Sequence, residues 1–224
     1  MKTVKLSLSG LLVCLMFLSG CASSEEPIIP EPETTFNPEG YVIIGKMKDV
    51  IVLDGGLEKP FVMEFKSGNV VTLSTINGQR DDTYQMIGDK LILDSFGYFV
   101  VEEEALVDEV IVGINLVSYS MQKLSEVNEL YTDTYTGQYL RTDNSVLHNS
   151  FFYAFKNDNQ VDAGYHIGEV VRTEKYVPVA NLAAWVEAEG YKEFMVLIDG
   201  KLEINYLDKN GALFHGVLDR YFDA

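Results

Sequence analysis

Beyond Gly40, apolar and polar residues alternate along runs of Val, Ile, Tyr and Phe, and Gly, Asn and Asp interrupt the runs every few residues. Period-two alternation belongs to strands, and short strands divided by turn residues belong to antiparallel hairpins, so the pattern predicts a mainly β body. Part of it occurs twice. Phe61-Val-Met-Glu-Phe65-Lys66-Ser-Gly-Asn69-Val-Val71 aligns with Phe151-Phe-Tyr-Ala-Phe155-Lys156-Asn-Asp-Asn159-Gln-Val161, keeping both phenylalanines, the lysine, the asparagine and the last valine. A second hairpin, Tyr84 to Leu93, matches Met195 to Ile204, with Gly88-Asp89 and Asp199-Gly200 as two-residue turns of the I′ or II′ kind. Those turns predict Met86 opposite Leu91 and Tyr84 opposite Leu93 in one copy. In the other they predict Leu197 opposite Leu202 and Met195 opposite Ile204, with Tyr206 extending the same apolar face.

The second match is more widely spaced than the first, so additional residues are expected between the hairpins of the second copy. They include Val179, Leu182, Ala183 and Val186 at helical spacing after Pro178 and before Gly190, which predicts a helix over Val179 to Glu189. On the other face of the second hairpin, Phe194, Val196 and Ile198 make an apolar stripe opposite Asn205, Glu203 and Lys201; the helix is its expected cover. Met121, Leu124, Val127 and Leu130 predict a second short helix bridging the copies. Long strands from Val110 to Ser118 and from Leu213 to Phe222 would close the copies, with Gly113 and Gly216 marking bends or close backbone approach. The expected organisation is a first β unit over 41–124, a junction over 125–134 and a second unit over 135–224. The units are either tandem small barrels or halves of one larger barrel.

An opening Gly-Tyr strand (Gly40-Tyr41, with Gly137-Gln138-Tyr139 as a looser counterpart), the hairpin that carries the paired phenylalanines, a Gly/Asp hairpin and a glycine-bearing last strand resemble the lipocalin-like domains of bacterial lipoproteins. That resemblance implies small antiparallel barrels, whose interiors hold side chains or one small ligand.

The N-terminus has the layout of a secretory signal: Lys2 and Lys5, an apolar stretch from Leu6 to Leu18, then small residues before Cys21. The stretch is interrupted by Ser7, Ser9 and Gly10 and is too short to span a bilayer. Leu18-Ser19-Gly20-Cys21 resembles the lipobox of bacterial lipoproteins, which implies cleavage before Cys21 and acylation of its thiol. Cys14 would leave with the signal, so no disulfide is expected. Ala22 stands where an inner-membrane retention signal would place Asp, so the resemblance implies an exported, membrane-anchored protein, held in the outer membrane if the source is Gram-negative. Residues 21–40 carry five glutamates, no basic residue and Pro27, Pro30, Pro32 and Pro38, the composition of an extended tether. Phe36 reads there as a loosely packed linker residue.

Seventeen Lys and Arg against 34 Asp and Glu give a net charge of −17, which excludes nucleic acid as an expected partner. His148, His166 and His215 lie at no metal-ligand spacing, and no nucleophile elbow, phosphate loop or dinucleotide fingerprint occurs. His166 lies near Glu169, and His215 lies four residues before Asp219, but structural roles are the expectation for all three histidines. Glu102-Glu103-Glu104 with Asp108 and Glu109 reads as a solvated loop or helix end, the alternative being a Ca²⁺ site. Asp208-Lys209-Asn210-Gly211 reads as a hairpin turn. Tyr131, Tyr135 and Tyr139 serve either sheet packing or contact with a sugar or a protein partner. No enzyme activity, metal or cofactor is expected. The expected role is a lipid-anchored envelope protein presenting a β domain to a small hydrophobic ligand or an envelope partner, with a structural or assembly role as the alternative. The candidate pocket is the face of Met195, Leu197, Leu202, Ile204 and Tyr206, enlarged by the helix around Trp185. Tyr84, Met86, Leu91 and Leu93 form its counterpart.

Overall fold

The computed structural model describes residues 36–49 and 56–222. Strands and no helix occur among the described residues. The first eight are β1 (Tyr41–Asp49), β2 (Lys59–Lys66), β3 (Val70–Thr75), β4 (Gly78–Ile87), β5 (Lys90–Leu93), β6 (Gly97–Glu102), β7 (Ala105–Ile111) and β8 (Ile114–Lys123). The other nine are β9 (Thr134–Arg141), β10 (Val146–Phe155), β11 (Gln160–Gly164), β12 (Arg172–Lys175), β13 (Val177–Val179), β14 (Ala183–Ala188), β15 (Tyr191–Ile198), β16 (Lys201–Asp208) and β17 (Leu213–Tyr221). They form two antiparallel sheets, in the orders β7-β6-β5-β4-β3-β2-β1-β8 and β12-β11-β10-β9-β17-β16-β15-β14-β13. Each sheet curls around its own core. Ile43, Phe61, Met63, Phe65, Leu91 and Phe99 fill the first, and Tyr135, Tyr153, Phe155, Met195 and Leu202 fill the second. The described residues thus form two barrel-like units and not halves of one barrel.

The units repeat in detail. Asn69 and Asn159 both take positive φ, and the carbonyl of each accepts the backbone N–H of a tyrosine at 2.9 Å, Tyr84 in one barrel and Tyr176 in the other. Those tyrosines meet Phe65 and Phe155 edge to face, at centroid distances of 5.1 and 5.4 Å. Gly45 lies opposite Phe61 as Gly137 lies opposite Phe151. A Cβ at Gly45 would come 2.0 Å from the Ser118 carbonyl oxygen, and one at Gly137 2.8 Å from that of Val217, so the close approach of the neighbouring strand requires glycine at both places. Gly45, not Gly40, is therefore the counterpart of Gly137.

This equivalence corrects the second sequence match. Counting onward from Tyr84 and Tyr176, the β4–β5 hairpin corresponds to β13–β14, and the β15–β16 hairpin corresponds to β6–β7. The true counterpart of the Asp199-Gly200 turn (φ 51 and 76) is Glu103-Glu104 (φ 49 and 65). The Gly88-Asp89 turn merely shares its chemistry. No large insertion separates the hairpins. The predicted facing pairs are nevertheless all present: Tyr84 with Leu93, Met86 with Leu91, Met195 with Ile204 and Leu197 with Leu202.

Both predicted helices are replaced by other structure. Val179 to Glu189 forms the end of β13, a turn at Ala180-Asn181 (φ 49 and 54) and β14. Ala184 and Val186 point into the second core while Ala183 and Leu182 pack outward against the first barrel, so both faces are apolar and the period-two signal vanishes. Met121 to Leu130 begins as the end of β8 and continues as an irregular junction. There Ser125 Oγ accepts the Val127 N–H, Asn128 Oδ1 accepts the Leu130 N–H, and Leu130 is fully buried at the base of the second core. The closing strand read from Val110 to Ser118 is two strands, broken at Val112-Gly113, where Gly113 has φ 81. Phe36 packs edge to face on Tyr41, at 5.0 Å, against the end of the first core instead of lying loose.

The outer stripe of Phe194, Val196 and Ile198 is covered by the first barrel. It meets Val42, Ile44, Val62 and Ile76, with Leu182 and Ala183 completing the cluster. Lys46 and Glu203 form an ion pair of 2.7 Å beside it. Trp185 packs on Phe194 at 5.6 Å and belongs to this cluster.

The sheets open at different places. In the first, β7 and β8 lie side by side but are the two ends of the ladder. In the second the ends are β12 and β13, adjoining segments of chain that pair with β11 and β14 respectively. Both openings are bridged by side chains: Tyr119 donates to Glu109 across the first, and Arg172 of β12 reaches Tyr191 and Glu193 of β15 across the second.

Candidate functional site

The second barrel alternates inward as the period-two reading requires. Tyr135 and Tyr139 on β9, Phe151, Tyr153 and Phe155 on β10, and Leu202, Ile204 and Tyr206 on β16 all face its interior or pack against it. Glu193 lies in phase with Met195 and Leu197 on β15. One end is filled by Leu130, Tyr135, Phe155 and Tyr176. At the other end lies a cavity of about 320 Å³. Its wall is aromatic, from Tyr139, Phe151, Tyr165, Tyr191, Tyr206, Phe214 and His148, and its polar groups are Glu193, Arg172 and Asp208. Gly216, registered between Tyr139 and Ile204, adds no side chain to that row. Tyr191 and Tyr206 stack at 5.2 Å with an interplanar angle of 16°, and Tyr165 meets Phe151 edge to face at 5.5 Å.

Glu193 is fully buried, and its donors crowd onto one oxygen. Oε1 accepts from Arg172 at 2.5 Å, from the Tyr153 hydroxyl at 2.6 Å and from that of Tyr139 at 3.4 Å, while the two tyrosine hydroxyls also touch each other. Arg172 donates further to Tyr191 at 2.6 Å and to Tyr153 at 3.2 Å, and Tyr191 donates to Glu174 at 2.7 Å. Glu193 Oε2 is buried with no partner among the described residues. Burial, and then the Glu193 charge, hold the Tyr139 and Tyr153 phenols well above their ordinary pKa, so both remain protonated donors. Burial opposes the charge of Arg172, but the Glu193 charge, its hydrogen bond and the neighbouring Tyr153 and Tyr191 oxygens together outweigh it and raise the guanidinium pKa. Asp208 at the rim is held below the usual carboxylate range by the backbone N–H groups of Ala212 and then Asn210, and it stays ionised.

The predicted residues distribute unevenly around this site. Tyr206 lines the cavity; Met195, Leu202 and Ile204 are packed core below it, and Leu197 packs against that core. Tyr84, Leu91 and Leu93 are buried in the first core and Met86 packs on it. Trp185 is not at the cavity, so the expected enlargement around it is corrected: it lies in the cluster between the barrels. Tyr135 and Tyr139 are inward strand residues, and only Tyr139 reaches the cavity; Tyr131 donates to Asn159 at 2.8 Å. His148 stands at the mouth, 4.9 Å from Tyr165. His166 lies in the exposed segment before Glu169, and His215 contacts the Arg141 carbonyl at 3.1 Å, with burial lowering its pKa. Glu103-Glu104 is a turn and Glu109 receives Tyr119, and no group of metal-ligating side chains occurs among the described residues. Asp208 closes the β16–β17 turn by accepting the N–H groups of Asn210 and Ala212, each at 2.8 Å. Cys21, with the signal and most of the tether, lies outside the described residues. Sequence reading missed Glu193 and Arg172. The available signal was phase, since a glutamate two residues before Met195 shares its inward face.

No family model matches the chain, and no curated protein matches it. Among solved structures it is similar to a crystal structure of a protein of unknown function from the DUF3598 family of Nostoc punctiforme. The identity is 13%, the match covers 80% of this chain and 95% of that one, and the TM-score is 0.30.

Proposed function

We propose that the chain is an exported, lipid-anchored envelope protein, non-catalytic, whose second barrel holds a small aromatic molecule. The observation that carries the binding part is the aromatic cavity of about 320 Å³ with a buried, half-partnered carboxylate on its wall, the combination of apolar surface and a few placed polar groups that ligand sites share. Binding is favoured over turnover because the ionisable groups at its floor bond to one another and the phenols keep their protons. The anchoring part is supported by Leu18-Ser19-Gly20-Cys21 behind a signal-like stretch.

Both parts are testable in one strain. Cys21→Ser is expected to move the protein from the membrane to the soluble fraction, and mass spectrometry of the mature N-terminus should find acyl chains on the wild type alone. An unmodified wild-type Cys21 would refute the anchor. A panel of small aromatic compounds is expected to raise the melting temperature of the wild type but not of Leu147→Trp, which fills the cavity from its mouth. Equal shifts in both proteins would place binding elsewhere.

A further inference from the structure

Resting on that reading of the cavity, we infer that the second barrel selects a neutral aromatic compound whose ring carries one N–H or O–H donor, and that this donor sits on Glu193 Oε2. A buried acceptor without a donor is costly, and nearly all such atoms in proteins are paired. Arg172, Tyr153 and Tyr139 all donate to Oε1. Oε2 is the acceptor still to be served, and Glu193 forms part of the cavity wall.

Charge narrows the class. An acid would bring a second carboxylate to an oxygen that can only accept, beside an Arg172 already engaged by Glu193, Tyr153 and Tyr191. An ammonium would share one carboxylate with Arg172 and give up its hydration inside an aromatic box. A neutral donor meets the same oxygen without either penalty. The walls fit a flat ring: Phe151, Tyr165, Tyr206 and Phe214 offer faces and edges, and the volume suits one or two fused rings.

Calorimetry on the purified full chain with indole and benzothiophene tests this, because the two share a bicyclic outline and differ in N–H against S. Benzothiophene is the more apolar, so a preference for indole must come from the donor. Indole is expected to bind about tenfold or more tightly, as the loss of a hydrogen bond to a buried charged group implies. In Glu193→Gln that ratio should collapse. Tyr165→Ala, at the exposed rim, should weaken both compounds while preserving the ratio, which keeps the test valid if the Glu193 variant fails to fold. Equal affinity for the two compounds in the wild type, or stronger binding of laurate than of indole, would overturn the donor rule while leaving the cavity a binding site. If neither bicycle nor laurate binds, and no aromatic compound of the panel does, the binding reading falls with it.

Discussion

Arg172 and Glu193 hold each other in place as well as shaping the cavity. Removing one member of a buried ion pair leaves an uncompensated charge, so Arg172→Met is expected to lower unfolding free energy by about 3–5 kcal/mol in urea denaturation. The double variant Arg172→Met with Glu193→Leu should recover much of that loss, since both buried charges are then gone. Tyrosines supply a second residue-scale expectation. Burial pushes the Tyr176 phenol up to about 12, and it also holds those of Tyr139 and Tyr153 well above their ordinary value. An acid whose folded pKa lies above its unfolded value of about 10 contributes stability that is complete below pH 10 and is lost as pH climbs through the folded value. Stability should therefore decline from about pH 10 upward, with phenolate absorbance appearing late and together with unfolding. Phenolate titrating near pH 10 in the still-folded protein for all tyrosines would contradict it.

At the scale of elements, the two ladder openings are the expected soft places. Amides of β7 and β8 that face each other lack ladder partners, so segment-resolved hydrogen exchange should find them faster than β1 and β2, which are paired on both sides. Gly97 sits at φ 111 where a Cβ would fall 2.0 Å from the Val110 carbonyl oxygen. Gly97→Ala is expected to cost at least about 1–3 kcal/mol and to speed exchange in β7 first. Strand identity was legible wherever one face was core and the other solvent, as in the facing pairs of Met195 with Ile204 and Tyr84 with Leu93. It failed where that contrast was absent. Val179 to Val186 is buried on both faces, by its own barrel and by the neighbouring one, and alternation cannot register a second apolar partner. The stripe of Phe194, Val196 and Ile198 was visible, but its cover came from β1 and β2, more than a hundred residues away, which no local pattern encodes. The cavity was half visible, through Tyr206 and the inward phase. Its polar floor depends on Arg172 crossing a break in the ladder that sequence does not announce.

For the whole molecule, the cluster between the barrels decides whether the units can live apart. Each large apolar side chain exposed by separation forfeits roughly 1.5–3 kcal/mol of burial, and Val42, Ile44, Val62, Phe194 and Val196 would all be uncovered. Residues 36–124 and 125–222 expressed separately are expected to aggregate or self-associate in size-exclusion chromatography, and two soluble monomers would show the cluster to be dispensable. The same cluster joins unlike parts of the repeat: β1 and β2 of one barrel meet β14 and β15 of the other. A head-to-tail contact of this kind leaves one unused copy of each surface and propagates into an open filament unless those copies are blocked. Here they are. The counterparts of Val42 and Ile44 in the second barrel are Thr134 and Thr136, and that of Val62 is Phe152, which is buried under its own chain where a Cβ on Gly164 would lie 2.9 Å from the ring. The counterparts of Phe194 and Val196 in the first barrel are Tyr98 and Val100, with the Lys90 ammonium lying over the Tyr98 ring at 4.4 Å. The internal repeat thus carries one link of a polymer with both of its ends sealed.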